Sequence, residues 1–179
     1  MGLYVGVVPV SLGMLWYPFL RRIGARATIF ILALTVGLLV YLAIGTWLDA
    51  NEFALTLPAF WQGVPLVIFI ALLTLGALLT LGVLLAVGSV RKGQETTPLG
   101  IAYRIAMGIG LHNLGEGLAI GAAFALGEAA LGTFLILGFT LHNITEGVGI
   151  VAPVVRKNPG LRHFVLLALI AGGPAILGT

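Results

Sequence analysis

Six long apolar runs, separated by short polar breaks, constrain the fold of this 179-residue chain more than any other feature. We place them at about 2–20, 27–48, 64–90, 100–127, 130–155 and 163–179. Each run is close to or above the roughly 20 residues that an α-helix needs to cross a bilayer. Backbone groups in lipid must be satisfied within the segment, and the runs are too long for barrel strands. We therefore predict helices.

Composition agrees with a membrane location. The chain is 60% hydrophobic and only 8% charged, whereas a soluble domain is roughly a quarter charged. We predict an all-α, polytopic transmembrane helix bundle, a single domain over residues 1–179 and a multi-pass protein of a plasma or inner membrane. Without cysteine the chain has no disulfide and no thiolate metal site. Its 26 glycines are typical of closely packed membrane helices.

The charged residues predict a topology. Asp49, Glu52 and Glu128 fall on the side that receives the N-terminus, and that side has no basic residue. All nine basic residues fall on the other side, in or beside three loops: Arg21, Arg22, Arg26, Arg91, Lys92, Arg104, Arg156, Lys157 and Arg162. The positive-inside rule places these loops in the cytoplasm and the N-terminus outside. The basic balance thus reflects topology, and we expect no nucleic-acid partner.

Aromatic residues fit the same arrangement. Trp16 and Tyr17 are placed for a belt at the inner interface, and Trp47, Phe60 and Trp61 for one at the outer interface.

Two related motifs place ionisable residues inside the fourth and fifth runs. They read LHNLGEG at 111–117 and LHNITEG at 141–147. In each motif His and Glu are four residues apart, or about 40° around a helix, and Asn lies about 60° from Glu. Each helix therefore carries one compact patch with an imidazole, an amide and a carboxylate.

The short connection between the fourth and fifth runs makes them antiparallel neighbours. Glu116 lies about 11 residues, or roughly 17 Å, before the turn near Gly127, and His142 lies about as far after it. We therefore expect both patches at one depth near the bilayer middle. His112 should lie level with Glu146, and Glu116 with His142.

A divalent cation would offset the free energy that it costs to place these ionisable side chains inside the membrane. One ionised carboxylate at a helix centre costs about 2.5–3.5 kcal/mol on insertion scales. Plain hydrogen bonding between helices is the competing explanation, but it leaves the matched pair unexplained. The predicted metal ligands are His112, Asn113, Glu116, His142, Asn143 and Glu146. Such nitrogen and oxygen donors suit Zn²⁺, Fe²⁺ or Mn²⁺, among which the sequence does not choose.

The paired motifs resemble the HNxxEG-type signatures of the ZIP (Zrt/Irt-like protein) family of divalent metal transporters. The resemblance implies that they lie on the fourth and fifth of eight helices, with the N-terminus outside. It implies a main site of His112, Glu116, His142 and Glu146, and a second lined by Asn113 and Asn143 with the glutamates bridging. It also implies movement of Zn²⁺, Fe²⁺, Mn²⁺ or Cd²⁺ towards the cytoplasm by an elevator-like motion.

The chain departs from the family pattern at several positions. Gly115 and Thr145 stand where Pro often precedes the Glu, and Gly173 stands where many members have a Glu before Pro174. The polar loop at 91–100 lacks histidine. Six apolar runs in place of eight lead us to expect a C-terminally truncated chain.

The function we expect is metal transport, with the metal as bound substrate and no cofactor. We expect the protein not to be an enzyme, because no H-E-x-x-H or Glu-x-x-His pair occurs. A membrane-embedded metal-dependent enzyme is the alternative. A proton-coupled solute carrier is a third possibility, which leaves the paired histidines unexplained. Expected partners are divalent metal ions and the lipid bilayer; a homodimer is compatible with the sequence, which does not fix the oligomeric state.

Overall fold

The computed structural model describes residues 1–56, 63–65, 67–69, 71–72, 97–157 and 159–179. Every regular element in these ranges is helical, which confirms the all-α prediction. A π-helical turn, Leu3–Val7, begins the chain, and a 3₁₀ turn, Ala152–Val154, follows the fifth α-helix. The α-helices are α1 (Val8–Met14), α2 (Tyr17–Leu20), α3 (Ala25–Thr56), α4 (Pro98–Ala125), α5 (Ala129–Val151), α6 (Leu161–Gly172) and α7 (Pro174–Gly178).

Some predictions fall outside the described residues. Most of the predicted third span, 64–90, lies outside them, as do Phe60, Trp61, Arg91, Lys92 and the side chain of Asp49.

Three segments of the described chain are long and apolar enough to cross a membrane. They are Leu3–Leu20, Ala129–Val154 and Leu161–Gly178, which correspond to the predicted first, fifth and sixth spans. Helix α4 has 28 residues but is not among them. The remaining spans and the side on which the N-terminus lies stay predictions.

The chain forms two compact units, Met1–Leu38 with Thr97–Thr179, and Leu39–Thr96. The first unit carries both motifs. Its helix α4 packs against α5, α6 and α7, while α1 packs against α5. The second unit contains the C-terminal part of α3 and further helical residues within 63–72.

Apolar side chains from six elements form the core of the first unit. Its largest fully buried members include Ile150 and Leu167. The whole cluster consists of Val10, Met14, Leu20, Ala102, Ala106, Val148, Ile150, Val151, Val154, Leu167, Ala168 and Ala171. This core holds α5 between α1 and α4, so that the α5 motif is packed on both sides.

Glycines set the close spacing of α1 and α5. A Cβ on Gly147 would meet the Val10 carbonyl and Gly13, and one on Gly13 would meet the Ile144 carbonyl. Backbones that approach this closely tolerate only a hydrogen at the crossing point. Because Gly147 directly follows Glu146, the crossing also fixes the position of the α5 motif relative to α1.

Two predicted spans are interrupted helices. The first contains the π-helical turn and a break at residues 15–16, and the last ends α6 at Gly172 and restarts at Pro174. Proline explains part of this, because Pro9 and Pro174 have no N–H to donate to the carbonyl four residues earlier. For Pro9 that carbonyl belongs to Val5, inside the π-helical turn.

Candidate metal centre

The two motifs meet across α4 and α5 as their spacing predicts. Glu116 Oε1 lies 2.5 Å from His142 Nε2 on the neighbouring helix and 3.1 Å from His112 Nε2 on its own. His112 Nε2 lies 4.0 Å from Glu146 Oε1. The predicted levels, His112 with Glu146 and Glu116 with His142, are therefore confirmed. We call these four side chains the ligand cluster.

The ligand cluster could hold a metal ion after small side-chain movements. One donor atom from each of His112, His142 and Glu146 lies within 4.8 Å of the other two. Ligands at about 2.0–2.2 Å from one ion are at most roughly 4 Å apart, so small side-chain rotations bring these atoms onto a common ion. Glu116 Oε1, between the two imidazoles, supplies a fourth donor.

The cluster is buried on one side and open on the other. His142 is fully buried, and Glu116 and Glu146 are only 4% and 5% exposed. The side chain of His112 is 47% exposed. His112 is therefore the exposed member of the cluster, and the other three side chains are enclosed by the helices.

Buried side-chain atoms without a hydrogen bond, some of which have an ion-pair contact, are concentrated in the motifs of the described chain. Buried polar groups cost free energy unless they have a partner, and most buried groups in proteins have one. In the part of the chain that the structure describes, six buried side-chain atoms lack a hydrogen bond, and all belong to predicted ligands: Asn113 Oδ1, Glu116 Oε1, His142 Nδ1, His142 Nε2, Asn143 Oδ1 and Glu146 Oε2. His142 Nε2 and Glu116 Oε1 are 2.5 Å apart, closer than the roughly 3.3 Å between two ligands of one tetrahedral ion, so a bound ion would have to separate them.

The two buried asparagines are oriented by carbonyls of neighbouring helices. Asn143 Nδ2 donates to the Val5 carbonyl at 2.9 Å and to Glu116 Oε2 at 3.0 Å. Asn113 Nδ2 donates to the Ala171 carbonyl at 3.0 Å. A flipped amide would set oxygen against oxygen at each position, so these contacts decide which amide atom is the nitrogen.

Sequence reasoning missed these two carbonyls. The Val5 carbonyl has no α-helical N–H donor, because the residue four positions on is Pro9. Ala171 lies in the last turn of α6, where backbone carbonyls lack helical partners. The spacing of Pro9 from Val5 was a readable signal. Which asparagine would use the free carbonyl was not readable from the chain.

Three other polar residues of α4–α6 and their loops do not join the cluster. His163 Nδ1 is 2.9 Å from the Tyr103 hydroxyl, near the start of α6. Glu128 precedes α5 in the turn that contains Gly127, whose φ is +80°. Thr145 donates to the His142 carbonyl at 2.6 Å, within its own helix.

No protein-family model, curated protein or solved structure matches this chain.

Proposed function

We propose that this protein carries divalent transition metal ions, Zn²⁺, Fe²⁺ or Mn²⁺, across a membrane through the ligand cluster of α4 and α5. One observation carries the proposal: in the described chain, all the buried side-chain polar atoms without a hydrogen bond belong to the two motifs. A divalent cation held by the two carboxylates would satisfy their oxygens and one of the two ring nitrogens of His142.

The charge of the cluster supports a divalent ion. Two carboxylates, Glu116 and Glu146, face two imidazoles in a largely buried setting. A 2+ ion balances two ionised carboxylates, and neutral imidazoles complete its shell without adding charge. The mixed nitrogen and oxygen set suits borderline cations, and the absence of thiolate disfavours Cu⁺.

The position of the cluster supports transport. It lies about midway along α4 and in the second half of α5, and α5 belongs to a segment long enough to cross a membrane. Ionisable residues at such depth typically line ion pathways. We expect an ion to enter beside His112, the most exposed member of the cluster. The resemblance of both motifs to the ZIP family supports the same function and movement towards the cytoplasm.

Reconstitution tests the proposal. Purified protein in liposomes that enclose a metal-sensitive dye should show saturable Zn²⁺ or Mn²⁺ entry. The variants His142→Ala and Glu116→Gln each remove one member of the cluster and should lower entry by more than about tenfold. A metal-dependent enzyme would show turnover of an added substrate with no metal flux.

The chain offers a matched control for each variant. His163→Ala removes a histidine that pairs with Tyr103, and Glu128→Gln removes a carboxylate in the turn before α5. Both should keep wild-type flux. Equal flux in His142→Ala and His163→Ala would overturn the proposal.

A further inference from the structure

An apolar groove of about 350 Å³ lies between the N-terminal helices and α6, away from the ligand cluster. Its walls are built from α1, α2 and the residues that link them on one side, and from α6 on the other. The lining includes Ser11, Leu15, Tyr17, Leu161, Val165 and Ala168. Leu15 and Leu161 are 72% and 78% exposed, so the groove opens outward along its length.

The two ends of the groove differ in polarity. The end at Ser11 is apolar, because the Ser11 hydroxyl donates to the Val7 carbonyl of its own helix at 2.6 Å. At the other end, near Arg21, the Arg21 guanidinium carbon lies 6.0 Å from the centre of the Tyr17 ring. Arg162 directly follows Leu161 at the start of α6. Among the residues that the structure describes, no acidic side chain lines the groove.

The end of the groove near Arg21 lies close to further basic residues of the first unit. The Tyr17 hydroxyl donates to the Lys157 carbonyl, which joins the end of the first span to the loop before α6. Trp16 and Tyr17, predicted for the inner aromatic belt, mark the interface at this level. From Leu161 to Ala168 the α6 wall extends about 10 Å into the apolar region.

The dimensions favour a lipid chain over a protein helix. A helix with side chains is about 10–12 Å across. An extended hydrocarbon chain is far thinner, and the polarity of the groove, cationic at one end and apolar at the other, matches an anionic phospholipid.

We propose that the groove binds one anionic phospholipid, with an acyl chain between α1 and α6 and its phosphate beside Arg21 and Arg162. Juxtamembrane basic residues attract anionic headgroups, and basic pockets between membrane helices bind them specifically. A lipid bound there would contact both α1 and α6. Helix α1 also crosses α5 beside the ligand cluster. The lipid site does not depend on metal transport.

Lipid retention tests the site. The purified protein is incubated in detergent with equal amounts of phosphatidylglycerol and phosphatidylcholine of identical acyl chains, and native mass spectrometry measures the lipid that stays bound. One phosphatidylglycerol per chain should be retained in preference. Arg21→Gln and Arg162→Gln should each reduce that preference by about fivefold.

Two further variants distinguish lipid binding in the groove from a general attraction of anionic lipid to surface charge. Val165→Phe fills the apolar wall and should lower retention of both lipids. Lys157→Gln removes a charge at the same end of the first unit, in a different cavity, and should change nothing. Equal retention of the two lipids, retention of neither, or an equal effect of the Lys157 and Arg21 variants would overturn the proposal.

Discussion

The amide nitrogen of Asn143 lies 2.9 Å from the carbonyl oxygen of Val5 and donates to it. Val5 lies in a π-helical turn and has no α-helical donor, because the residue four positions on is Pro9. The same nitrogen donates to Glu116 at 3.0 Å. One buried amide thus satisfies a backbone carbonyl of the first span and orients a carboxylate of the ligand cluster.

The Asn143→Ala variant should lower both stability and metal binding. It leaves the Val5 carbonyl without its donor, at a cost of about 1–3 kcal/mol in the free energy of unfolding. It also frees Glu116 from its orienting partner, so metal affinity should fall by about tenfold or more. Thermal unfolding in detergent and equilibrium metal binding measure the two effects.

Asn51→Ala is the matched control for this variant. Asn51 also donates its amide nitrogen to a backbone carbonyl, that of Trp47 at 2.7 Å, but at an exposed position. Its loss should change stability by less than about 0.5 kcal/mol. Should Asn143→Ala behave like Asn51→Ala, the orienting role of Asn143 is wrong.

The Gly147→Ala variant should separate α1 from α5. The added Cβ would meet the Val10 carbonyl and Gly13, and relief requires backbone movement. We expect a loss of about 1–3 kcal/mol in stability. Metal flux should fall as well, because His142 and Glu146 lie on the displaced helix.

Gly115→Ala controls for helix propensity. Gly115 lies inside the first motif, yet no atom lies within 4 Å of a Cβ built there. Its replacement should leave flux unchanged and alter stability by no more than about 1 kcal/mol. Equal tolerance of alanine at positions 115 and 147 would contradict the tight crossing of α1 and α5.

The Thr97→Ala variant should weaken the start of α4 without altering the ligand cluster. The Thr97 hydroxyl accepts a hydrogen bond from the Gly100 amide at 3.1 Å and caps the helix. We expect a loss of about 0.5–2 kcal/mol in stability. Metal affinity should stay at the wild-type value, because the cluster begins 15 residues further along the chain.

Thr133→Ala is the corresponding control in α5. The Thr133 hydroxyl donates to the carbonyl of Ala129, one turn earlier in the same helix, at 2.8 Å. This hydrogen bond is exposed. No cap is lost in this variant, so stability should change by less than about 0.5 kcal/mol. A metal-binding defect in Thr97→Ala would show that the cluster depends on the helix end.

The antiparallel arrangement of the motifs was predictable because two regular helices joined by a short turn leave few options. Spacing along α4 and α5 placed His112 near Glu146 and Glu116 near His142, and the structure confirms both pairs. Helical period and rise are properties of the backbone, so they transfer directly from sequence to geometry.

The interruptions in the first and last spans were less predictable. Pro9 and Pro174 indicate lost hydrogen bonds, but the response of the backbone depends on which neighbour can replace them. At Val5 the replacement comes from Asn143, which is 138 residues away in the chain. Such long-range pairing is absent from any local pattern, as is the exposure of His112.

The most direct test of the metal site is X-ray absorption spectroscopy on the purified, Zn²⁺-loaded protein. We predict a shell of nitrogen and oxygen ligands at about 2.0–2.1 Å that includes imidazole scattering, and loss of part of that scattering in His142→Ala but not in His163→Ala. A shell without imidazole, or the same spectrum in both variants, would contradict the account.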